Sequence, residues 1–264
     1  MKAIILAAGM GTRLGKYTEN LPKGMLSFKG KSLIERQIET LRSAGVSDIV
    51  IIRGYHPEKI NFSGVTYREN KEYETTNMVA SLMQAKEDIL ASPDGIIVCY
   101  SDIVYEKRLI QTLLADKSEV GVLVDDDWKD YWMARLDDWQ SDVESLQYDK
   151  TRNIFELGNT KCTLDQAMSR YIGLIKFSKM ATAKLVELFE KNKKLYWNVD
   201  APWKRSKSFK KAYMTCMIQE CVDNKIQVKA VGVKHGWMEF DTTEDYEKAI
   251  AWDKQNLLSN FINI

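Results

Sequence analysis

Histidine is nearly absent from this sequence: His56 and His235 are the only two, and Cys99, Cys162, Cys216 and Cys221 contain no C-x-x-C pair. That donor set weighs against a zinc site and leaves free buried thiols as the plain reading. No apolar run approaches the roughly 18 residues of a spanning helix, and the N-terminal apolar stretch is short and lacks a cleavage signal. A soluble cytoplasmic protein without a membrane partner is therefore expected. Net charge is missing too, with 38 Lys and Arg against 37 Asp and Glu, so no overall field favours nucleic acid or another polyanion. There is no internal repeat and no linker rich in Pro, Gly or Ser. At 264 residues the chain can bury about three quarters of its unfolded surface without a folding partner. A homodimer stays open.

What the sequence does contain is concentrated in its first 26 residues. The apolar run through Ile4, Ile5 and Leu6 has strand length and breaks into Ala7-Ala8-Gly9-Met10-Gly11-Thr12-Arg13-Leu14. Glycines there can adopt positive φ and let another group approach the main chain, so successive N–H groups can form a nest for phosphate oxygens. Two cations follow, Arg13 in the loop and Lys23 after Pro22. A P-loop needs four residues between its first Gly and Gly-Lys-Ser/Thr; here Gly9 to Gly15 encloses five, and Tyr17 replaces the hydroxyl residue. The dinucleotide fingerprint G-x-G-x-x-G fails because Leu14 stands where its third glycine belongs. An ordinary tight turn with two solvated cations is the plain alternative.

Ser32-Leu33-Ile34-Glu35 reads as a capping box opening a helix with Ile34, Ile38 and Leu41 on one face, closed by Gly45. Apolar strands at 49–52, 96–99 and 120–124 describe a parallel sheet covered by helices, whose ligands bind at the strands' carboxyl ends. The glycine loop and Ser101-Asp102 then share one rim. A helix from Asn77 to about Leu90 would put Asn77 and Ser81 one turn apart, an amide and a hydroxyl able to read a base edge. A capping Asn77 and a solvated Ser81 are the bland reading. Residues 142–148 and 153–157 read as antiparallel strands, and 171–175 as another strand. Segment 192–212 mixes Lys and Arg with Tyr196, Trp197 and Trp203, which fits a basic flap or a solvated surface better than nucleic-acid stacking. A helix over 209–222, a strand over 227–233 and a last helix capped by Thr242 or Thr243 follow.

Leu-Ala-Ala-Gly-Met-Gly-Thr-Arg-Leu followed by Leu21-Pro22-Lys23 resembles the signature of the sugar-phosphate nucleotidyltransferase-like family, which joins an NTP to a phosphorylated small molecule. Ser101-Asp102, Tyr171-Ile172-Gly173-Leu174 and Gly236-Trp237-Met238-Glu239-Phe240-Asp241 look like its phosphocholine and aminoalkyl-phosphonate cytidylyltransferases, enzymes of cell-surface polysaccharide or phosphonate biosynthesis. The resemblance implies a Rossmann-like three-layer α/β/α fold with a mostly parallel sheet and an inserted antiparallel acceptor-binding portion. It implies one domain over 1–264, with 1–124 as the nucleotide half and 125–264 as the acceptor half. It also implies CTP, Mg2+ and release of pyrophosphate. Carried onto this chain, it puts the triphosphate on Ala8 to Arg13 and Lys23, and the base near Leu6, Ala7, Asn77 and Ser81. Tyr100, Ser101 and Asp102 complete the nucleotide site, with magnesium on Asp102 and Asp241. Arg13 and Lys23 are the expected catalytic groups, since in-line phosphoryl chemistry needs positioning and charge neutralisation rather than a nucleophilic side chain.

For the acceptor the expected contacts are Tyr131, Trp132, Tyr171 and Glu239, with Tyr131 and Trp132 forming an aromatic face for a cationic head group or, equally, packing in the core. Relatives often carry Thr-Asp where this chain has Thr215-Cys216, which points to an acceptor other than phosphocholine or aminoethylphosphonate. Two alternatives are a sugar-1-phosphate nucleotidyltransferase using UTP, dTTP or GTP, and a catalytically silent nucleotide-binding subunit.

Overall fold

A computed structural model describes residues 1–264. Strand β1 (Lys2–Ala7) runs into the glycine loop. A small hairpin, β2 (Ser27–Phe28) and β3 (Lys31–Ser32), leads to α1 (Leu33–Ser43), where the Ser32 hydroxyl accepts from the Glu35 N–H at 3.2 Å. Then come β4 (Asp48–Arg53), β5 (Thr66–Glu69), α2 (Met78–Leu82), α3 (Lys86–Ala91) and β6 (Ile96–Tyr100). Next are β7 (Ile103–Tyr105), α4 (Lys107–Ala115), β8 (Val120–Asp125) and α5 (Trp128–Arg135). An antiparallel hairpin of β9 (Leu146–Tyr148) and β10 (Ile154–Leu157) precedes β11 (Arg170–Phe177) and α6 (Lys179–Tyr196). The chain ends with α7 (Met214–Asp223), β12 (Val228–Val233), β13 (Trp237–Glu239) and α8 (Thr243–Lys254).

Seven strands form one sheet in the order β12-β8-β11-β6-β1-β4-β5. All are mutually parallel except β11, which runs antiparallel between β6 and β8. Parallel strands covered on both faces read as continuous apolar runs rather than as alternation, and the strand side chains divide accordingly. Ala3, Ile5 and Ala7 join one core of 38 buried residues with α1, α4, α5 and α8; Ile4 and Leu6 join a second core of 36 with α2, α3, α6 and α7. The result is a three-layer α/β/α arrangement.

Three local departures matter for the site. The helix expected from Asn77 to Leu90 is broken by a 3-10 turn over Met83–Ala85. The helix expected from Phe209 starts only at Met214, because the carbonyls of Lys210 and Ala212 turn away to accept from the N–H groups of Asn77 and Val79. Strand β11 is bulged: Tyr171 faces Val124 and Ile175 faces Val122, so four residues of β11 span two of β8. Gly173 sits in the bulge at φ +83, and a Cβ there would lie 2.8 Å from the Tyr100 ring. Glycine supplies both the left-handed backbone and the space for that ring.

Candidate active site

Two aspartates far apart in sequence meet at one end of the sheet because β7 and β13 pair antiparallel, with Glu239 opposite Ile103. The ladder continues past the strands, where the Phe240 N–H donates to the Asp102 carbonyl at 2.9 Å. Asp102 and Asp241 therefore flank one spot, and Lys23 occupies it: its Nζ lies 2.6 Å from Asp102 Oδ2 and 2.5 Å from Asp241 Oδ1. Arg13 adds a second cation to Asp241, Nη1 to Oδ2 at 2.5 Å. Burial pulls the Lys23 ammonium down, but Asp102 and Asp241 outweigh it and hold the group above its ordinary value, fully charged.

The glycine loop is shaped around this lysine. Gly11 has φ +65, and a Cβ there would meet the Lys23 Cβ at 2.8 Å, so any larger residue would push the lysine away. The Thr18 hydroxyl ties the loop by donating to the Gly11 carbonyl at 2.8 Å. Asp241 is fixed from the other side by the cap of α8, where Asp245 Oδ2 accepts from the N–H groups of Asp241 and Thr242 at 2.9 and 2.8 Å. Arg135 of α5 grips Asp245 with Nε and Nη2, each at 2.8 Å, and reaches Glu239 with Nη1 at 3.2 Å. Glu239 is driven upward by burial; Arg135 opposes this, Asp241 reinforces it, and the carboxyl settles above the usual range.

The charged cluster lies in a cleft of about 950 Å³. Leu6, Ala8, Gly9, Gly11, Thr12, Arg13, Lys23, Asn77, Ser81, Tyr100, Ser101, Asp102, Tyr171, Glu239 and Asp241 all line it, so most of the residues selected by sequence come together. Ala7 and Met10 do not: Ala7 is buried in the sheet and Met10 turns outward. Asn77 caps α2, its Oδ1 accepting from the Met78 N–H at 2.9 Å. Ser81 is buried rather than solvated and accepts from Asn70 Nδ2 at 2.9 Å, which leaves its own O–H free to donate.

Tyr131 and Trp132 are corrected by the structure. Both are buried in the core and neither lines the cleft. Tyr131 Oη accepts from the Glu239 N–H at 3.0 Å, and the Trp132 ring packs against Trp128, Tyr131 and Trp237. The aromatic helix thus supports β13 and the α8 cap instead of caging a ligand. Of the pair at 215 and 216, Thr215 lines the cleft while Cys216 is buried in the core, so the residue at 216 says nothing about the acceptor's charge. Sequence reasoning missed Arg170, Glu144 and Lys161 on the cleft wall, whereas Lys204 and Arg205 there belong to segment 192–212, which it read as a basic flap or a solvated surface. Arg170 adjoins the recognised Tyr171-Ile172-Gly173, its one available signal; Glu144 and Lys161 lie in loops without a motif.

Residues 3–156 match the family described as the MobA-like NTP transferase domain. The chain belongs to that family. This MobA-like NTP transferase is 33% identical over 260 residues to the CTP:phosphoglutamine cytidylyltransferase of Campylobacter jejuni, covering 95% of this chain and 99% of the relative. It is 36% identical over 144 residues to the choline-phosphate cytidylyltransferase of Streptococcus pneumoniae, covering 53% and 61% of the two chains. Among solved structures, the inositol-1-phosphate CTP transferase from T. maritima superposes with a TM-score of 0.72 at 20% identity, covering 100% of this chain and 98% of the other, a likeness of fold. The MobA-like NTP transferase is accordingly an enzyme of the nucleotidyltransferase class with a mostly parallel, helix-covered sheet. No helix in it is long and apolar enough to cross a membrane.

Proposed function

We propose that this protein is a CTP-dependent cytidylyltransferase that transfers CMP to a phosphorylated or phosphonylated small molecule and releases pyrophosphate. The observation that carries the reading is the four-membered cluster of Lys23, Arg13, Asp102 and Asp241 at the mouth of the glycine loop. Its similarity along nearly the whole chain to a cytidylyltransferase supports the choice of base. Residues 1–124 would hold the nucleotide and 125–264 most of the acceptor.

In the reaction an oxygen of the acceptor's phosphate or phosphonate attacks the α-phosphorus of CTP in line, a new P–O bond forms, and the bond to pyrophosphate breaks. Both partners are anions, so the enzyme's work is to align them and offset their charge. Lys23 and Arg13 are held on aspartates, ready to transfer to phosphate oxygens when the triphosphate enters. The backbone N–H groups of the loop from Ala8 to Arg13 offer further donors. Ser81 and Asn77 line the same cleft and would face the base.

Magnesium fits the donors that are present. Asp102 and Asp241 bracket a single cationic position, and no three or more His, Cys, Asp or Glu side chains are placed to hold a metal ion by themselves. Two carboxylates sharing the ion with substrate phosphate is the arrangement magnesium favours. Bound there, the ion would neutralise charge on the reacting phosphates. A pyrophosphate-release assay with CTP, UTP, GTP and dTTP against a panel of phosphorylated metabolites tests the proposal. Nucleotide binding with no pyrophosphate from any pair would refute it.

A further inference from the structure

Asn70 follows β5 and is buried; it does not line the cleft itself but is bonded to two residues that do, Thr76 and Ser81. Its backbone is fixed, since its N–H donates to the Arg53 carbonyl at 2.8 Å. The direction of its side-chain amide is fixed too. Asn70 Oδ1 accepts from the Glu72 N–H at 3.0 Å, and a backbone N–H can only donate, so the oxygen must face Glu72 and the NH2 group must face the other way. That group places its two hydrogens on two hydroxyls, Thr76 Oγ1 and Ser81 Oγ, each at 2.9 Å.

The two hydroxyls differ in where their own hydrogen goes. Thr76 donates to the Glu72 carbonyl at 2.7 Å and is complete. Ser81 has no such outlet: its oxygen accepts from Asn70, and no protein acceptor takes its hydrogen. The carbonyl one turn back, that of Asn77, already accepts from the Ser81 N–H at 3.0 Å. The Asn77 amide is itself committed, with Oδ1 on the Met78 N–H and Nδ2 toward the Lys211 carbonyl. A hydroxyl so placed gains a hydrogen bond from a ligand acceptor, whereas a ligand N–H brought against it would leave the Ser81 hydrogen buried and unpaired.

Resting on the transferase reading above, we propose that Asn70 is a positioning residue that sets base specificity: through Ser81 it presents a fixed donor to a ring nitrogen of the base, so that the site selects cytosine over uracil, thymine and guanine. Cytosine N3 is a bare acceptor. The corresponding nitrogen carries hydrogen in uracil and thymine at N3 and in guanine at N1, so UTP, dTTP and GTP each set a donor against a donor. A site built to hydrogen-bond one partner rejects an analogue that leaves its buried group unmatched.

The test measures nucleotide affinity by isothermal titration of the full-length protein with Mg2+ and CTP, UTP or 3-deaza-CTP, in which C–H replaces N3. Wild type should bind CTP about tenfold or more tighter than either of the others, as expected when one buried hydrogen bond is left unmade. Ser81→Ala should bring CTP and 3-deaza-CTP within about twofold of each other. Asn70→Asp, whose carboxylate only accepts, should turn the Ser81 hydrogen inward and move the CTP:UTP affinity ratio about tenfold or more toward UTP. Asn70→Ala, which sets no direction for the hydroxyl, should lower the ratio without inverting it. An Asn70 with only a structural role would instead weaken both nucleotides alike and lower the melting temperature. If neither Asn70 variant folds, wild type and Ser81→Ala decide alone. Equal binding of CTP and 3-deaza-CTP by wild type, or an unchanged CTP:UTP ratio in every Asn70 variant that folds, overturns the proposal. Neither result touches pyrophosphate release, on which the transferase reading stands or falls separately.

Discussion

Arg135→Met is the sharpest probe of how the site is held together. Arg135 and Asp245 expose only 3% and 1% of their side chains and share two hydrogen bonds of 2.8 Å. Removing one member of such a pair strands the other charge in a low-dielectric interior, which costs about 3–5 kcal/mol. At about 2–4 °C per kcal/mol for a chain near this size, the melting temperature should fall by roughly 6–20 °C. The pH dependence has a definite sign. Burial pushes the Asp245 carboxyl up, but the hydrogen bonds and charge of Arg135, with the Thr242 and Asp241 N–H groups, overcome this and hold it below its ordinary value. A depressed carboxyl adds stability that is complete above the unfolded value, about 3.9, and disappears as the pH falls through the lower folded value. The gap between wild type and variant should therefore be widest near neutral pH and narrow below about pH 4. Turnover should drop too, because Asp241 hangs from the same cap. Thermal melts of both proteins at a series of pH values check the argument. A variant that melts within about 2 °C of wild type at pH 7 would show that the pair carries no such load.

Asp102→Asn and Asp241→Asn should each reduce kcat by about a hundredfold or more at saturating Mg2+ while circular dichroism stays native, and near-native rates would sink the metal assignment. Trp132→Ala should destabilise the fold by about 3–5 kcal/mol in urea titration, as expected for a fully buried ring; a rise in acceptor KM with unchanged stability would restore the cage reading. Gly173→Ala forces a side chain into φ +83 against Tyr100 and should cost about 1–3 kcal/mol of stability together with activity. An unaffected variant would mean that the bulge is readily remodelled.

The parts of this protein that the sequence determined by itself are those whose chemistry is local. A strand that ends in Gly-Met-Gly-Thr-Arg, the Ser32 cap of α1 and the Thr242 cap of α8 each depend on residues within a few positions of one another, and all three appear where expected. The apolar runs marked the central strands because both faces of the sheet are covered. Which way an aromatic-rich helix faces is another matter. Helix α5 has aromatic and charged residues on every side, so no periodicity separates its inner from its outer surface, and only the packing of Trp237 and Phe261 against it buries Tyr131 and Trp132. The same holds for charge pairs. Lys23 meets partners 79 and 218 residues away because two strand ends are zipped together by β7 and β13, and Arg170 pairs with Asp142, 28 residues away, while its buried Nε finds no acceptor. Residue types announce what a group can bond; the tertiary structure alone decides what it finds beside it, since those distances are set by long-range strand pairing that no short window of sequence contains.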